Sequence, residues 1–538
     1  MRTLSADSAP LVEVPAPDVA FYMADDEARG HRPLRYGALI DVDLSLADGA
    51  WSELADGSRV WRMRVASEGA HSLALEFETF DLPEGGQMFV YSDQVEFVFG
   101  AYTDENEHYD GTFVFEPYPG SEFILEIDVP AGAEDPVVDV STVIYDYRGV
   151  YGLMDGSVTV GGTKTTGCLI DVNCPEGNGW DNQKRATVRT LSGGALCSGA
   201  LLNNTNQDET NYVLTANHCG QTSSTVFRFG YEKPGCRTGT APTTMSVSGA
   251  TVLTSTSTYD SRLLRINTAI PSSYNPYYAG WTRTTTNSTF AFSMGHPGGG
   301  PKKISIDGNG SNGSTNDWIV TWSAGMLEGG SSGGPLFDQN GLVRGPACCV
   351  TNFTCGFQTA YYGRFDRFYT SNNLAQWLDP TGSGAFSLDG LDPNGPPGCP
   401  NPVVYCSPKV SSNLCVPTIG ATGSASLSNP SSFVITTTQM ESQVTGIGIF
   451  GTGGQAAVPF QGGLLCVGGV VNRLPGKFTG GATPCAGSFS YTLGDVLLHP
   501  AGGSLTVGMQ FQMQSWTRDL GDPFGSSLSA GLDTVICP

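Results

Sequence analysis

The sequence predicts an all-β protein of several domains, and three observations carry that prediction. Gly (71) and Pro (33) are abundant and only 14% of residues are charged, while hydrophobic residues reach 39%; this mix suits strands and turns and is too apolar for disorder. Apolar residues alternate with a period of two in many segments, as half-buried strands require. At roughly 100 to 200 residues per domain, 538 residues make about three units. A formal charge of −24 argues against a nucleic-acid partner, since little basic surface is left to neutralise phosphates. No membrane span is expected: stretches without a polar side chain, such as Gly462 to Val471, are glycine-diluted and fall short of the ~20 residues a spanning helix needs.

Charge and cysteine divide the chain. Residues 1–150 hold 30 acids against 8 arginines and no lysine, a net of −22, whereas the rest holds 21 acids against 19 bases. None of the 14 cysteines precedes Cys168; eight lie between Cys168 and Cys355 and six between Cys399 and Cys537. Even numbers without paired CxxC spacing read as disulfides and an oxidising compartment, hence a secreted, periplasmic or cell-surface protein. Met1 to Tyr22 lacks a basic segment followed by an apolar one, so the true start is expected upstream. The expected order is a flexible tail over 1–20, an acidic β-sandwich over 21–150, a linker over 151–167, a catalytic unit over 168–392, a Pro/Gly linker over 393–405 and a second β-sandwich over 406–538.

The elements follow in order. Trp61, Met63 and Val65 alternate with Arg62 and Arg64; Leu73, Leu75 and Phe77 with Ala74 and Glu76; Phe123, Leu125, Ile127 and Val129 with Ile124, Glu126 and Asp128. Each is a strand, and Pro83 to Gly86 and Pro117 to Gly120 supply turns. In the last unit Leu505, Val507, Met509, Phe511 and Met513 alternate with polar or glycine positions and predict one long strand. Gly451 to Gly454 and Gly462-Gly463 read as hairpin turns rather than phosphate loops, because no helical pattern follows them.

Chemistry concentrates in the middle unit. It contains Leu214-Thr215-Ala216-Asn217-His218-Cys219 and, further on, Glu328-Gly329-Gly330-Ser331-Ser332-Gly333-Gly334-Pro335. Acyl transfer by serine needs a neutral imidazole to take the hydroxyl proton, a carboxylate to fix the imidazole tautomer, and backbone N–H groups around the developing oxyanion. The acids between the motifs are Glu232, Asp260, Asp307, Asp317 and Glu328. Asp260 leads straight into the apolar run Leu263-Leu264, so it can be buried against the histidine. Asp307 and Asp317 sit in a Gly/Asn/Ser-rich loop and read as solvated.

These motifs, in the order His, Asp, Ser, resemble the chymotrypsin-like serine proteases. Gly167 to Gly177, Ser198 to Asn204, Ala279-Gly280-Trp281 and Trp377 to Pro380 resemble the bacterial lysyl endopeptidase branch. The resemblance covers about Gly167 to Pro393 and implies a double β-barrel with the site between the barrels. It implies His218 as general base, Asp260 as its orienter, Ser332 as nucleophile, and the Gly330 and Ser332 N–H groups as the oxyanion hole. It also implies the disulfides Cys197–Cys219, Cys174–Cys236 and Cys168–Cys355. Cys348 and Cys349 are then left over: they either form a vicinal disulfide, or one replaces Cys355 as the partner of Cys168. The first 150 residues resemble the prosegments of such proteases, and the last 135 resemble an accessory module of secreted bacterial proteins. An acidic, cysteine-free N-terminal unit is expected to be a detachable folding aid or inhibitor.

Specificity departs from the branch. Lysyl endopeptidases hold the substrate ammonium with an Asp shortly before a Tyr-Gly-Arg motif. Here Tyr362-Gly363-Arg364 is present, but the matching position is Ala360, and the position six before the nucleophile is Met326. Burying lysine without a carboxylate is costly, so Met326, Ala347 and Ala360 predict an apolar pocket, with Glu328 structural. The expected function is a secreted serine endopeptidase acting on protein or peptide substrates without lysine specificity. The competing one is an inactive homologue that binds through its β-modules, with a cell-surface or carbohydrate ligand for the last. No cofactor or metal is expected: His31, His71, His108 and His499 lack clustered ligands, and His296 reads as a structural turn residue.

Overall fold

The computed structural model describes residues 9–30, 32–93, 95–150, 167–354, 356–394, 402–427 and 429–537. The chain forms two compact units, 1–393 and 394–538, and is mostly strand.

The acidic N-terminal region is a sandwich of two sheets. One runs Leu11–Glu13, Arg59–Ala66, Glu122–Val129, Gln87–Ser92, Val95–Tyr102, with Ala50–Glu53 also on Arg59–Ala66; the other runs Tyr118–Pro119, Ser72–Asp81, Val137–Asp146, Gly37–Ser45. The alternating residues meet between them: Trp61, Met63, Val65, Leu73, Leu75, Phe77, Leu125 and Ile127 are all buried in one core, the expected outcome of period-two patterning. The expected tail over 1–20 is partly built in. Leu11–Glu13 pairs in parallel with Arg64 to Ala66, and a helix spans Val19–Ala28, capped by Asp18.

The middle region contains two further sheets. The first orders Ser246–Ser248, Val226–Arg228, Thr187–Ser192, Ala195–Leu202, Tyr212–Thr215, Ser261–Ile266, Ala250–Thr256. The second orders Ile170–Asp171, Lys303–Asp307, Ala291–Gly295, Pro335–Asp338, Val343–Val350, Thr359–Gly363, Asp317–Thr321, Asn312–Gly313. Each sheet has a core of its own, with Val188, Leu201, Val213, Phe227 and Leu264 in the first and Trp318, Val320, Leu336, Ala360 and Tyr362 in the second, and Leu202, Leu214 and Leu263 of the first meet Phe292, Phe337 and Val343 of the second in a shared core. Asp307 is not solvated as its composition suggests: it is 4% exposed at the end of its strand, where its carboxylate accepts from the Asn309 N–H. The Gly/Asn/Ser-rich segment therefore turns around a buried acid.

Although composition sets the N-terminal sandwich apart, it packs onto the first barrel sheet. Leu34–Arg35 pairs antiparallel with Leu196 and Ala195, and Leu191, Leu196 and Val226 join the sandwich core. Glu116 forms a buried ion pair with Arg228. The expected linker over 151–167 lies outside the described residues except at its last position.

The second unit pairs a sheet ordered Val403–Tyr405, Ser526–Val535, Gln510–Arg518, Thr445–Gly451, Asn472–Arg473 with a three-stranded sheet, Thr418–Thr422, Val434–Met440, Gly487–Thr492. Phe433, Ile435, Tyr491, Phe511, Met513 and Leu532 fill the core between them, and Cys406–Cys466 and Cys415–Cys485 bridge it. Gly462 turns a hairpin between Gln455–Phe460 and Gly463–Val467 as expected. The long strand expected from Leu505 is corrected: it begins at Gln510. Gly508 takes a φ of 87° and the Met509 N–H bonds back to Thr506 O, so a turn breaks the alternation before pairing starts.

Candidate active site

His218 follows the strand Tyr212–Thr215 in a single helical turn, Asn217–Cys219, and Asp260 immediately precedes Ser261–Ile266. The two strands are hydrogen-bonded neighbours, so both residues emerge at the same edge of the first sheet. Asp260 takes a φ of 42°, a left-handed conformation that Asp tolerates better than most side chains. Its carboxylate thereby accepts from the His218 backbone N–H at 2.9 Å and meets His218 Nδ1 at 2.6 Å. Burial pushes the Asp260 carboxyl up, but the hydrogen bonds from His218 outweigh it, with Arg32 adding, and the group sits below the usual carboxylate range.

Ser332 comes from the turn ahead of Pro335–Asp338 in the second sheet. Its Oγ lies 2.8 Å from His218 Nε2. The backbone here has little latitude. Gly333 has a φ of 81°, and a Cβ added there would stand 2.2 Å from Ser198 O and 2.3 Å from Thr215 Oγ1. The Ser198 N–H donates to Ser332 O at 2.7 Å, and Ser198 Oγ donates to Gly330 O at 2.9 Å. Neither the Gly330 nor the Ser332 N–H has a hydrogen-bond acceptor among the described residues. Ser331 differs from Ser332: it is buried, and its Oγ accepts from the Glu328 N–H.

His296 does more than fill a turn. It is fully buried; its N–H donates to Ser198 Oγ, which also lies 3.1 Å from its Nδ1. Burial, reinforced by the positive charges of Lys302, Arg189 and Arg228, holds its pKa well below the ordinary histidine value, so a neutral ring supports the turn carrying Ser332 through Ser198. Neither Ser198 nor His296 sits in a pattern that would mark this role in the sequence.

Beside the serine is a cavity of about 230 Å3 walled by Leu327, Glu328, Ala347, Val350 and Phe353, with Cys348 and Cys349 also on its wall. Of the three expected pocket residues, Ala347 is on this wall; Met326 and Ala360 are buried outside it. Glu328, expected to be structural, is on the wall, and burial pushes its carboxyl up to about 7, only partly offset by Lys303. The residue least visible in the sequence is Arg32, which comes from the N-terminal region and lines the cavity with Gly30. Arg32 Nη2 donates to Asp260 Oδ2 at 3.0 Å and to Cys348 Sγ at 3.1 Å, and lies 3.3 Å from His218 Nδ1. The only sequence signal for it is scarcity, since just eight arginines stand among the acids of this region.

Cys197–Cys219 and Cys174–Cys236 are disulfides, as the resemblance implied. Cys168 is disulfide-bonded, and the Cys355 half of its expected pair lies outside the described residues. Cys348 and Cys349 are free thiols. Cys197, His218 and Cys219 cluster closely, but both sulfurs are spent in a disulfide and offer no ligand set.

Residues 163–363 match the family described as lysyl endopeptidase, C-terminal domain. The lysyl endopeptidase of Pseudomonas aeruginosa is 27% identical, over 59% of this chain and 76% of the relative. Among solved structures, human heparin binding protein is 19% identical over 36% of this chain and 91% of its own, with a TM-score of 0.27. The serine endoprotease from Yersinia pestis is 17% identical over 37% and 67%, also with a TM-score of 0.27. The middle region is thus similar to the lysyl endopeptidase C-terminal domain over residues 163–363.

Proposed function

We propose that the protein is a secreted serine endopeptidase, made in a latent form, that cleaves after uncharged side chains. The observation that carries the reading is the unbroken chain Ser332 Oγ, His218, Asp260, at 2.8 and 2.6 Å. In this reading His218 Nε2 takes the Ser332 proton as Oγ attacks the substrate carbonyl. The Asp260 carboxylate holds the Nδ1 proton and stabilises the imidazolium. The free N–H groups of Gly330 and Ser332 receive the oxyanion, and His218 then returns the proton to the leaving amine. A purely binding protein would have no use for this arrangement, which speaks against an inactive homologue.

The N-terminal sandwich is read as the source of latency. Arg32 shares the Asp260 oxygen that His218 needs and puts a fixed positive charge beside the ring that must become cationic. Because the sandwich shares a core with the first barrel sheet, cleavage of the 161–167 linker alone would leave it in place. Export is supported by the disulfides; among the described residues no helix is long and apolar enough to cross a membrane. The C-terminal unit, which contributes no triad residue, is read as an accessory module for a cell-surface or carbohydrate ligand.

The cavity wall supports uncharged specificity. Leu327, Ala347, Val350 and Phe353 are apolar, and the one acid, Glu328, is half-protonated near pH 7. Cleavage of a peptide library at pH 6.5 tests this. Apolar or other uncharged residues should precede the scissile bond, whereas exclusive cleavage after lysine would mean that Glu328 acts as a carboxylate toward substrate.

A further inference from the structure

The strand Val343–Val350 carries an irregularity with a chemical result. Against Thr359–Gly363, Ala347 pairs with Tyr362 and Cys349 with Tyr361, leaving Cys348 as one extra residue. In a regular strand, neighbouring side chains point to opposite faces. A bulge breaks that alternation, and here the Cys348 and Cys349 sulfurs come within 2.6 Å of each other. They are the free thiols among the described cysteines, and both line the cavity that holds Ser332 and Arg32. The pair is polarised. The hydrogen bond to Cys349 raises the Cys348 thiol well above its usual range, whereas the bond from Cys348 lowers that of Cys349, burial opposing and the Arg32 charge assisting. Arg32 in turn rests on Cys348 Sγ at 3.1 Å.

We propose that Cys348 and Cys349 form a dithiol–disulfide couple whose oxidation by a small-molecule disulfide of the glutathione class withdraws the sulfur on which Arg32 rests. The Cys349 thiolate attacks one sulfur of the oxidant, whose S–S bond breaks and releases one glutathione thiolate. Cys348 Sγ, giving up its proton to that thiolate, then attacks Cys349 Sγ and expels the second, which takes up the proton Cys349 had lost to solvent. One protein disulfide forms, one oxidant is reduced to two thiols, and no net proton is released. A disulfide sulfur is a weaker acceptor than a thiol sharing its proton with a thiolate, so Arg32 loses one of its contacts. The reduced chain, as made inside a cell, holds the latch; an oxidising exterior loosens it. This inference rests on the reading of Arg32 as the latch.

The test uses the full chain carrying Ser332→Ala, so that self-cleavage cannot alter the sample, equilibrated in graded mixtures of reduced and oxidised glutathione. After acid quench and alkylation, mass spectrometry should show both thiols disappearing together, with no glutathione left attached. Amide exchange over residues 29–37 should be faster in the oxidised form by about tenfold, the worth of one charge-assisted hydrogen bond. Adding Cys348→Ala should abolish the paired loss and give the faster exchange at every ratio. Both thiols free at every ratio, a disulfide at every ratio, a stable glutathione adduct, or equal exchange in the two forms would each overturn the proposal. None of these readouts requires turnover, so a failure of peptidase activity would be seen separately.

Discussion

At the scale of single residues, the reading depends on which serine carries the reaction. Ser332→Ala and His218→Ala should each cut peptide hydrolysis by roughly 10^4-fold or more with the melting temperature preserved, because triad members act as a unit. Ser331→Ala should cost little in rate, since its hydroxyl serves the Glu328 N–H; steady-state kinetics of the three variants decide the point. Glu328 gives a pH prediction. Its folded pKa, raised to about 7 by burial, exceeds the unfolded value near ~4.3, so between them the folded state binds more protons. The stabilisation is complete below the unfolded pKa and is lost as pH rises through about 7. Melting temperatures at pH 5 and 8 should therefore differ more for the wild type than for Glu328→Gln, and equal differences would remove the buried-acid account. His218, Asp260 and Ser332, which the fold brings together, were legible in the sequence as candidates because acyl-transfer chemistry calls for those residue types beside glycines and a cysteine. Arg32, Ser198 and His296 were not, because each acts through a contact made only by the fold, across 228 residues from Arg32 to Asp260 and 98 from Ser198 to His296.

At the scale of elements, period-two patterning located the N-terminal strands well, since each has one face in the sandwich core. It misread exposure where both faces are buried, as at Ile124 and Glu126, and strand extent where a turn intervenes. Gln512 and Gln514 are fully buried because their amides bond to Asp533 and to the Leu464 and Ser529 carbonyls, so polarity there does not mark a solvent face. Of the expected pocket residues Ala347 is on the cavity wall, whereas Met326 and Ala360, neighbours of the site by motif position, are buried away from it. The turn carrying Ser332 is the element under tightest constraint. Gly333→Ala would force a Cβ against Ser198 O at a φ of 81°, and it should lower stability by more than ~1 kcal/mol. Thermal unfolding checks this, and an unchanged melting temperature would show that the turn relaxes freely.

At the scale of the whole molecule, composition separates an acidic N-terminal region from the middle region, while packing unites them. The net charge of −22 over 1–150 marks a surface, but the contacts between the regions are made by buried side chains, including Glu116 with Arg228 and the added strand Leu34–Arg35. In the proposed reading latency is a property of the assembled unit, so Arg32→Ala should raise the activity of the uncleaved chain by about tenfold or more, the worth of a charge-assisted contact at Asp260. The most direct test of the central claim, that His218 activates Ser332, is the rate and site of labelling by a peptidyl phosphonate bearing an apolar side chain. Full chains of the wild type, Arg32→Ala and His218→Ala would be followed side by side by mass spectrometry. The account predicts phosphonate on Ser332, attached faster in Arg32→Ala than in the wild type and absent from His218→Ala. Label on Ser331, or no label on either of the first two chains, would contradict it.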